Sequence, residues 1–151
     1  MKNCKAVVFF LLVTIISVFY LSHNKTPVFA CEGSEYSFYI LSNSSSAKVI
    51  TVNGKSALAT AKSVEGVRGE SVFFDFNGIA KEYAFNFLID FVDKKGAVLA
   101  FTEEGEWGVN YYLYTPKLNN SVVINNRAVN LHICINERGI TAGYPLIFGS
   151  Y

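Results

Sequence analysis

At 151 residues the chain has room for one domain plus a short extra segment, and 51% of its side chains are apolar. Its formal charge of +1 hides an asymmetry. Lys2, Lys5 and Lys25 lie in the first 30 residues, which carry no acid, so ten basic and twelve acidic side chains remain and give residues 31–151 a net of −2. A nucleic-acid binder gathers a basic excess because phosphate neutralisation supplies most of its affinity, and this balance excludes that class of partner.

Residues 1–30 have the order of a secretory leader. Met1–Lys5 is a short positive region, Ala6–Leu21 an uncharged, mostly apolar run, and 22–27 a polar stretch. Val28 and Ala30 then stand at the two positions that signal peptidase reads, which predicts a cut after Ala30. The run of sixteen is shorter than the roughly 20 apolar residues of a membrane span, yet an uncleaved anchor remains a second fate for this segment. Cys31 at the first position after the cut opens a third, lipidation of its thiol. The expectation is an exported or surface-associated protein whose domain covers residues 31–151. Its contact with a membrane is made only through the N-terminal segment or a lipid.

Along the domain, Glu35–Leu41 and Ala47–Val52 read as strands, the second ending at the Asn53-Gly54 turn pair. Ser56–Ser63 reads as a brief helix from its alanines, and Glu70–Phe76 as a further strand. The main helix is predicted over Ile79–Lys94. Glu82, Asn86, Asp90 and Asp93 recur at helical spacing as one polar stripe, and Tyr83, Ala84, Phe87, Leu88 and Phe91 fill the opposite side. Lys94, Lys95 and Gly96 supply a cationic last turn and a glycine stop.

After Gly96 the period falls to two. Ala97–Glu103, Glu106–Tyr114, Ser121–Ile124, Ala128–Asn136 and Ile140–Phe148 read as successive strands joined by hairpin-sized turns, a meander. Within the fourth, Val129, Leu131, Ile133 and Ile135 are expected to face the core, and Asn130, His132, Cys134 and Asn136 the other way. Pro116 and Pro145 are expected where strands end or run along an edge. The fold class is therefore α+β: a mostly antiparallel curved sheet with a C-terminal meander and one main helix packed on a face.

Four segments carry a family resemblance: Gly108–Tyr112 (GVNYY), Tyr114–Leu118 (YTPKL), Val129–Ile133 (VNLHI) and the closing Tyr144–Tyr151 (YPLIFGSY). Together they make residues 97–151 resemble the C-terminal part of small exported Firmicute proteins of the YwmB family. The resemblance implies a TATA-box-binding-like α+β fold and an envelope or sporulation-related role. It implies no catalytic residue, and a fold name confers no activity.

Chemistry is sparse. His23 lies in the leader, so His132 is the domain's histidine, two residues from Cys134 on one strand and on the same face. A Cys-type nucleophile needs such a base, itself oriented by a third group. A half-exposed strand histidine without a catalytic task is the plainer reading. No CxxC, HxxxH or HExxH spacing offers a metal site, and no cofactor motif is present. Cys31 and Cys134 leave a disulfide open, which export permits. Glu103, Glu104 and Glu106 read as a solvated hairpin tip. Trp107, Tyr111, Tyr112, Tyr114 and Tyr144 offer aromatic surface for contact with a glycan or peptide, with Tyr112 and Tyr114 sharing a face. The reading that follows is a non-catalytic protein that binds an envelope component or protein partner through Tyr112, Tyr114 and His132. The alternative is a small hydrolase or thiol enzyme that uses Cys134 with His132.

Overall fold

The computed structural model describes residues 27–29, 31, 35–41, 47–53 and 66–147, with the side chains of residues 41 and 47–53 excepted. In chain order the elements are β1 (Glu35–Leu41), β2 (Ala47–Asn53), β3 (Val67–Asp75), α1 (Lys81–Lys95), β4 (Val98–Gly105), β5 (Gly108–Tyr114), β6 (Val122–Ile124), β7 (Arg127–Val129), β8 (Leu131–Ile135) and β9 (Gly139–Tyr144). Seven strands form one curved sheet in the order β2-β1-β3-β9-β8-β5-β4, and β6 and β7 form a separate ribbon. Every described pairing is antiparallel. The α+β expectation holds: the meander β4-β5-β8-β9 closes on the N-terminal strands through the β3–β9 pair. The brief helix expected at 56–63 lies outside the described residues.

Why α1 forms is visible at its ends. It runs one turn-fragment later than the periodicity predicts, because Asp75, Asn77 and Gly78 make a turn first: Asn77 N–H donates to Asp75 Oδ1 at 2.9 Å and Ile79 N–H to the Asp75 carbonyl at 2.8 Å. At the far end Gly96 takes φ 60, where glycine carries no Cβ penalty. Gly96 N–H reaches the Asp93 carbonyl and Ala97 N–H the Val92 carbonyl, both at 3.0 Å, which completes the C-terminal cap. Two further carbonyls of the last turn are taken from outside. Thr115 Oγ1 donates to Lys95 O at 2.6 Å and Lys117 Nζ to Lys94 O at 2.8 Å.

The crossover from β3 through α1 to β4 carries the helix over one face of the sheet. Its buried stripe is narrower than the sequence suggests: Ala84, Leu88 and Phe91 are buried, whereas Tyr83 and Ile89 are exposed. Against it pack Tyr36 and Phe38 of β1, Val72 and Phe74 of β3, Leu113 of β5, Leu131 and Ile133 of β8, and Ile140 and Ala142 of β9. Their cross-strand pairs, such as Val72↔Ala142, Phe74↔Ile140, Ile133↔Ala142 and Leu113↔Leu131, place them on one face.

Phe29 completes this core. It is 0% exposed and its ring lies 5.0 Å from that of Phe91. Core contacts thus extend to Phe29, upstream of residue 31. The backbone here is tied down as well: Phe29 N–H donates to Glu70 Oε1 at 2.7 Å, and the Tyr36 hydroxyl donates to the Phe29 carbonyl. Burial pushes the Glu70 carboxyl above its ordinary pKa, with the Phe29 and Val28 amides pulling the other way.

Two predicted strands are cut short. The expected strand Ala128–Asn136 is divided at Asn130 into β7 and β8, so Val129 pairs with Val122 in the ribbon instead of joining the helix-side core. Asn130 is fully buried and acts as a clamp. Its Oδ1 accepts Thr115 N–H at 2.9 Å, and its Nδ2 donates to the Thr115 and Leu118 carbonyls at 2.7 and 3.0 Å. Replacing Asn130 with Ala strands the Thr115 N–H and the Leu118 carbonyl, leaves the Thr115 carbonyl only its bond from Leu118 N–H, and is expected to destabilise the protein by about 3 kcal/mol, read as a lowered denaturant midpoint. The expected strand Ile140–Phe148 ends at Tyr144 in an interior strand, and Pro145 follows a cis peptide bond. Leu146 and Ile147 then lie over Gly143, where any Cβ would overlap their backbone. Only glycine permits that approach.

Candidate functional site

The sheet's second face is half-solvated along β4 and the end of β5, but around Asn110, His132 and Cys134 it is buried. Across β4, β5 and β8, directly opposed residues build a ladder of rings: Phe101 stacks on Tyr112 with centroids 4.4 Å apart, and Tyr112 on His132 at 4.4 Å. The tail residues 145–147 roof the end of this ladder. His132 is 2% exposed and Cys134 1%, which overturns the half-exposed reading of the histidine. The physical reason is the return of the tail over Gly143, the direct cross-strand partner of His132.

Both ring nitrogens of His132 are engaged. Ile147 N–H donates to Nδ1 at 3.3 Å, so Nδ1 carries the lone pair. Nε2 then carries the proton and donates it to Asn110 Oδ1 at 3.0 Å. Burial holds the imidazole well below its usual pKa, at about 4, so the ring is neutral at pH 7. Its lone pair points at the Ile147 amide. Cys134, on the same face, is a free thiol whose pKa burial pushes up, away from the nucleophilic thiolate. Alkylation of Cys134 by a maleimide at pH 7 is accordingly expected to be at least tenfold slower than that of an exposed thiol, and to reach the exposed rate on unfolding. Labelling at the exposed rate in the folded protein would contradict the buried-thiol geometry.

The other expected site residues are dispersed. Tyr112 lies inside the ladder, its hydroxyl donating to Glu103 Oε2 at 3.1 Å. Tyr114 is on the same face but exposed, paired with Val98 at the sheet's outer end. Tyr111 and Tyr144 pack against the helix-side core and Trp107 stands at the β4–β5 hairpin tip, so the five aromatics form no single strip. The Cys31 thiol lies beside Tyr36, on the helix side, and Cys134 is on the opposite face. The sheet stands between them, and no disulfide joins them.

What the sequence reading misses is on the helix side. The helix leaves parts of β8 and β5 and the edge strand β4 uncovered. A cleft of about 300 Å³ opens there between α1 and the sheet, lined by Phe85, Leu88, Ile89 and Val92 of the helix and by Tyr111, Leu113, Ile133 and Ile135 of β5 and β8. Asp93 is its one charged lining residue. The rim is apolar too: Ile89 is 56% exposed, and Leu99 of β4, which pairs with Leu113 on this face, is 52% exposed. The signal that could have found it is the excess width of the helix's apolar side, since Phe85, Ile89 and Val92 exceed what one sheet contact can cover.

Edge pairing at β4 is blunted. The register shifts between Leu99 and Phe101, and Arg127 Nη1 donates to the Ala100 carbonyl within this bulge. Among the described residues no group of three or more His, Cys, Asp or Glu side chains could hold a metal ion, and no helix is long and apolar enough to cross a membrane. Comparison with protein-family models, with curated proteins and with solved structures finds no match to this chain.

Proposed function

We propose that this chain is an exported or surface-associated, non-catalytic binding domain, and that it works by receiving an apolar group of an envelope-associated partner in the cleft between α1 and β5–β8. The observation that carries this reading is the cleft itself. It reaches the lower end of ligand-site volumes, its walls are aliphatic and aromatic, and its apolar rim continues onto Ile89 and Leu99. Exposed apolar surface joined to a concavity is costly in water unless something covers it. Asp93 at the cleft fits a partner that presents a cation or a hydrogen-bond donor beside its apolar anchor. Kinship with the YwmB family belongs to this proposal and adds no catalytic residue to it.

The rival thiol-enzyme reading asks His132 to act as a base while its lone pair accepts Ile147 N–H. It gains no support from the geometry of Cys134.

The test is saturable binding of an apolar fluorescent probe, N-phenyl-1-naphthylamine, to the purified chain. We expect one site per chain, with affinity reduced at least tenfold by Ile89→Lys. That exposed change leaves stability within about 0.5 kcal/mol, so loss of binding is not loss of fold. Absence of saturable binding, or equal binding by the Ile89→Lys variant, removes the cleft from the proposal. Turnover of an envelope substrate that disappears on His132→Ala replaces it with the enzymatic reading.

A further inference from the structure

We infer that Phe29 and Cys31 are permanent parts of the folded domain, so that the chain is not cut between residues 30 and 31 and Cys31 carries no lipid. The inference is independent of the cleft and of what it binds.

The expected cut lies between two anchored residues. On its N-terminal side, Phe29 is wholly inside the core against Phe91, its amide held by Glu70 and its carbonyl by the Tyr36 hydroxyl. On its C-terminal side, Cys31 N–H donates to Tyr36 Oη at 2.8 Å and Cys31 Sγ lies 3.1 Å from the same oxygen. Val28, one of the two positions that a signal peptidase reads, is partly buried against the core cluster. A cut after Ala30 removes Phe29 and leaves a hole lined by Phe91 and its neighbours. It also leaves the Glu70 carboxyl without its amide partner in a buried place, and creates a new ammonium on Cys31 beside the Tyr36 hydroxyl. A removable leader has no need to supply a core residue; this one does, through contacts that reach 41 residues along the chain to Glu70.

The consequence is a tether. A chain that keeps residues 27–31 and is not cut upstream remains joined to the apolar run 6–21. The five residues 22–26 span at most roughly 18 Å even when fully extended, which holds the domain close to the membrane surface.

The deciding experiment expresses the full chain with its own leader in a bacterial host. The protein is recovered from membrane and soluble fractions, denatured, alkylated with a maleimide and weighed intact. An N-terminus at or before Pro27 supports the inference. The uncut chain then takes three maleimides, on Cys4, Cys31 and Cys134, and a chain cut upstream of Pro27 takes two. An N-terminus at Cys31 overturns it, whether the thiol is unmodified or bears lipid mass and leaves Cys134 as the one alkylated site. As a second arm, Phe29→Ala loosens the docked segment. The inference expects the fraction cut at Ala30–Cys31 to rise above the wild-type level, and an unchanged, already high fraction in both proteins contradicts it.

Discussion

Replacing Phe29 with alanine is expected to cost the fold about 3–5 kcal/mol, at the upper end of what one truncated side chain removes. The residue is fully buried, its ring is tilted 42° against Phe91 at 5.0 Å, and it belongs to the same cluster as Phe74, Leu88 and Ile140. Removing the ring leaves a void that the surrounding sheet and helix fill only in part, because strands pinned on both sides have little room to relax. The measurement is denaturant unfolding of the full chain followed by far-ultraviolet circular dichroism. A loss below about 1 kcal/mol would mean that the segment 27–29 is not docked in solution, since a truncated core phenylalanine does not cost so little.

The second large effect is expected in acid. His132 titrates at about 4 in the folded protein and near the ordinary histidine value of 6.5 when unfolded. A lowered histidine pKa means that the unfolded state binds the proton first, so stability is present above pH 6.5 and is lost as the pH falls from 6.5 toward 4. The full span corresponds to about 3 kcal/mol. Its cause is burial, since protonating the ring puts a charge between Asn110 and the roof formed by residues 145–147, and Nδ1–H would then face Ile147 N–H, donor against donor. Stability measured from pH 7 to pH 4 should fall steeply in the wild type. The same curve for His132→Gln should lack this component, and parallel curves for the two proteins would show that the histidine is not the group responsible. The raised pKa of Glu70 works oppositely. Its contribution is greatest below the ordinary carboxylate pKa and declines as the pH rises through its folded value.

Much of the architecture was legible because it rests on short-range periodicity. The alternation in Gly108–Tyr114 and Leu131–Ile135 puts one set of side chains on one face whatever the strands pair with, and the β4–β5 and β8–β9 pairings follow from hairpin-sized turns. The helix was readable from its 3.6-residue stripe and from Lys94, Lys95 and Gly96, which both stop it and complement its dipole. The orientation of Leu131, Ile133 and Ile135 toward the helix, and of His132 and Cys134 away from it, was likewise readable from pattern alone.

Burial was not. Whether the face bearing His132 meets water depends on the tail returning over Gly143. The turn back over Gly143 is local, but what it covers, His132, lies 15 residues from Ile147, and no period in the sequence joins the two. The break at Asn130 has the same origin: an asparagine in a strand pattern looks like an outward-facing polar residue until the 115–118 turn arrives to bond its side chain three times. The cleft depends on how far α1 reaches across the sheet, which the crossover decides and no spacing records. Phe29 is the sharpest case. Read along the chain it is the penultimate residue of a leader, and only the meeting of Glu70, Tyr36 and Phe91 makes it part of the core. Sequence by itself determined the elements and their faces, because those follow from backbone periods of two and 3.6 residues. The tertiary structure decided what covers each face, because that is set by segments distant along the chain, whose contacts leave no period to read.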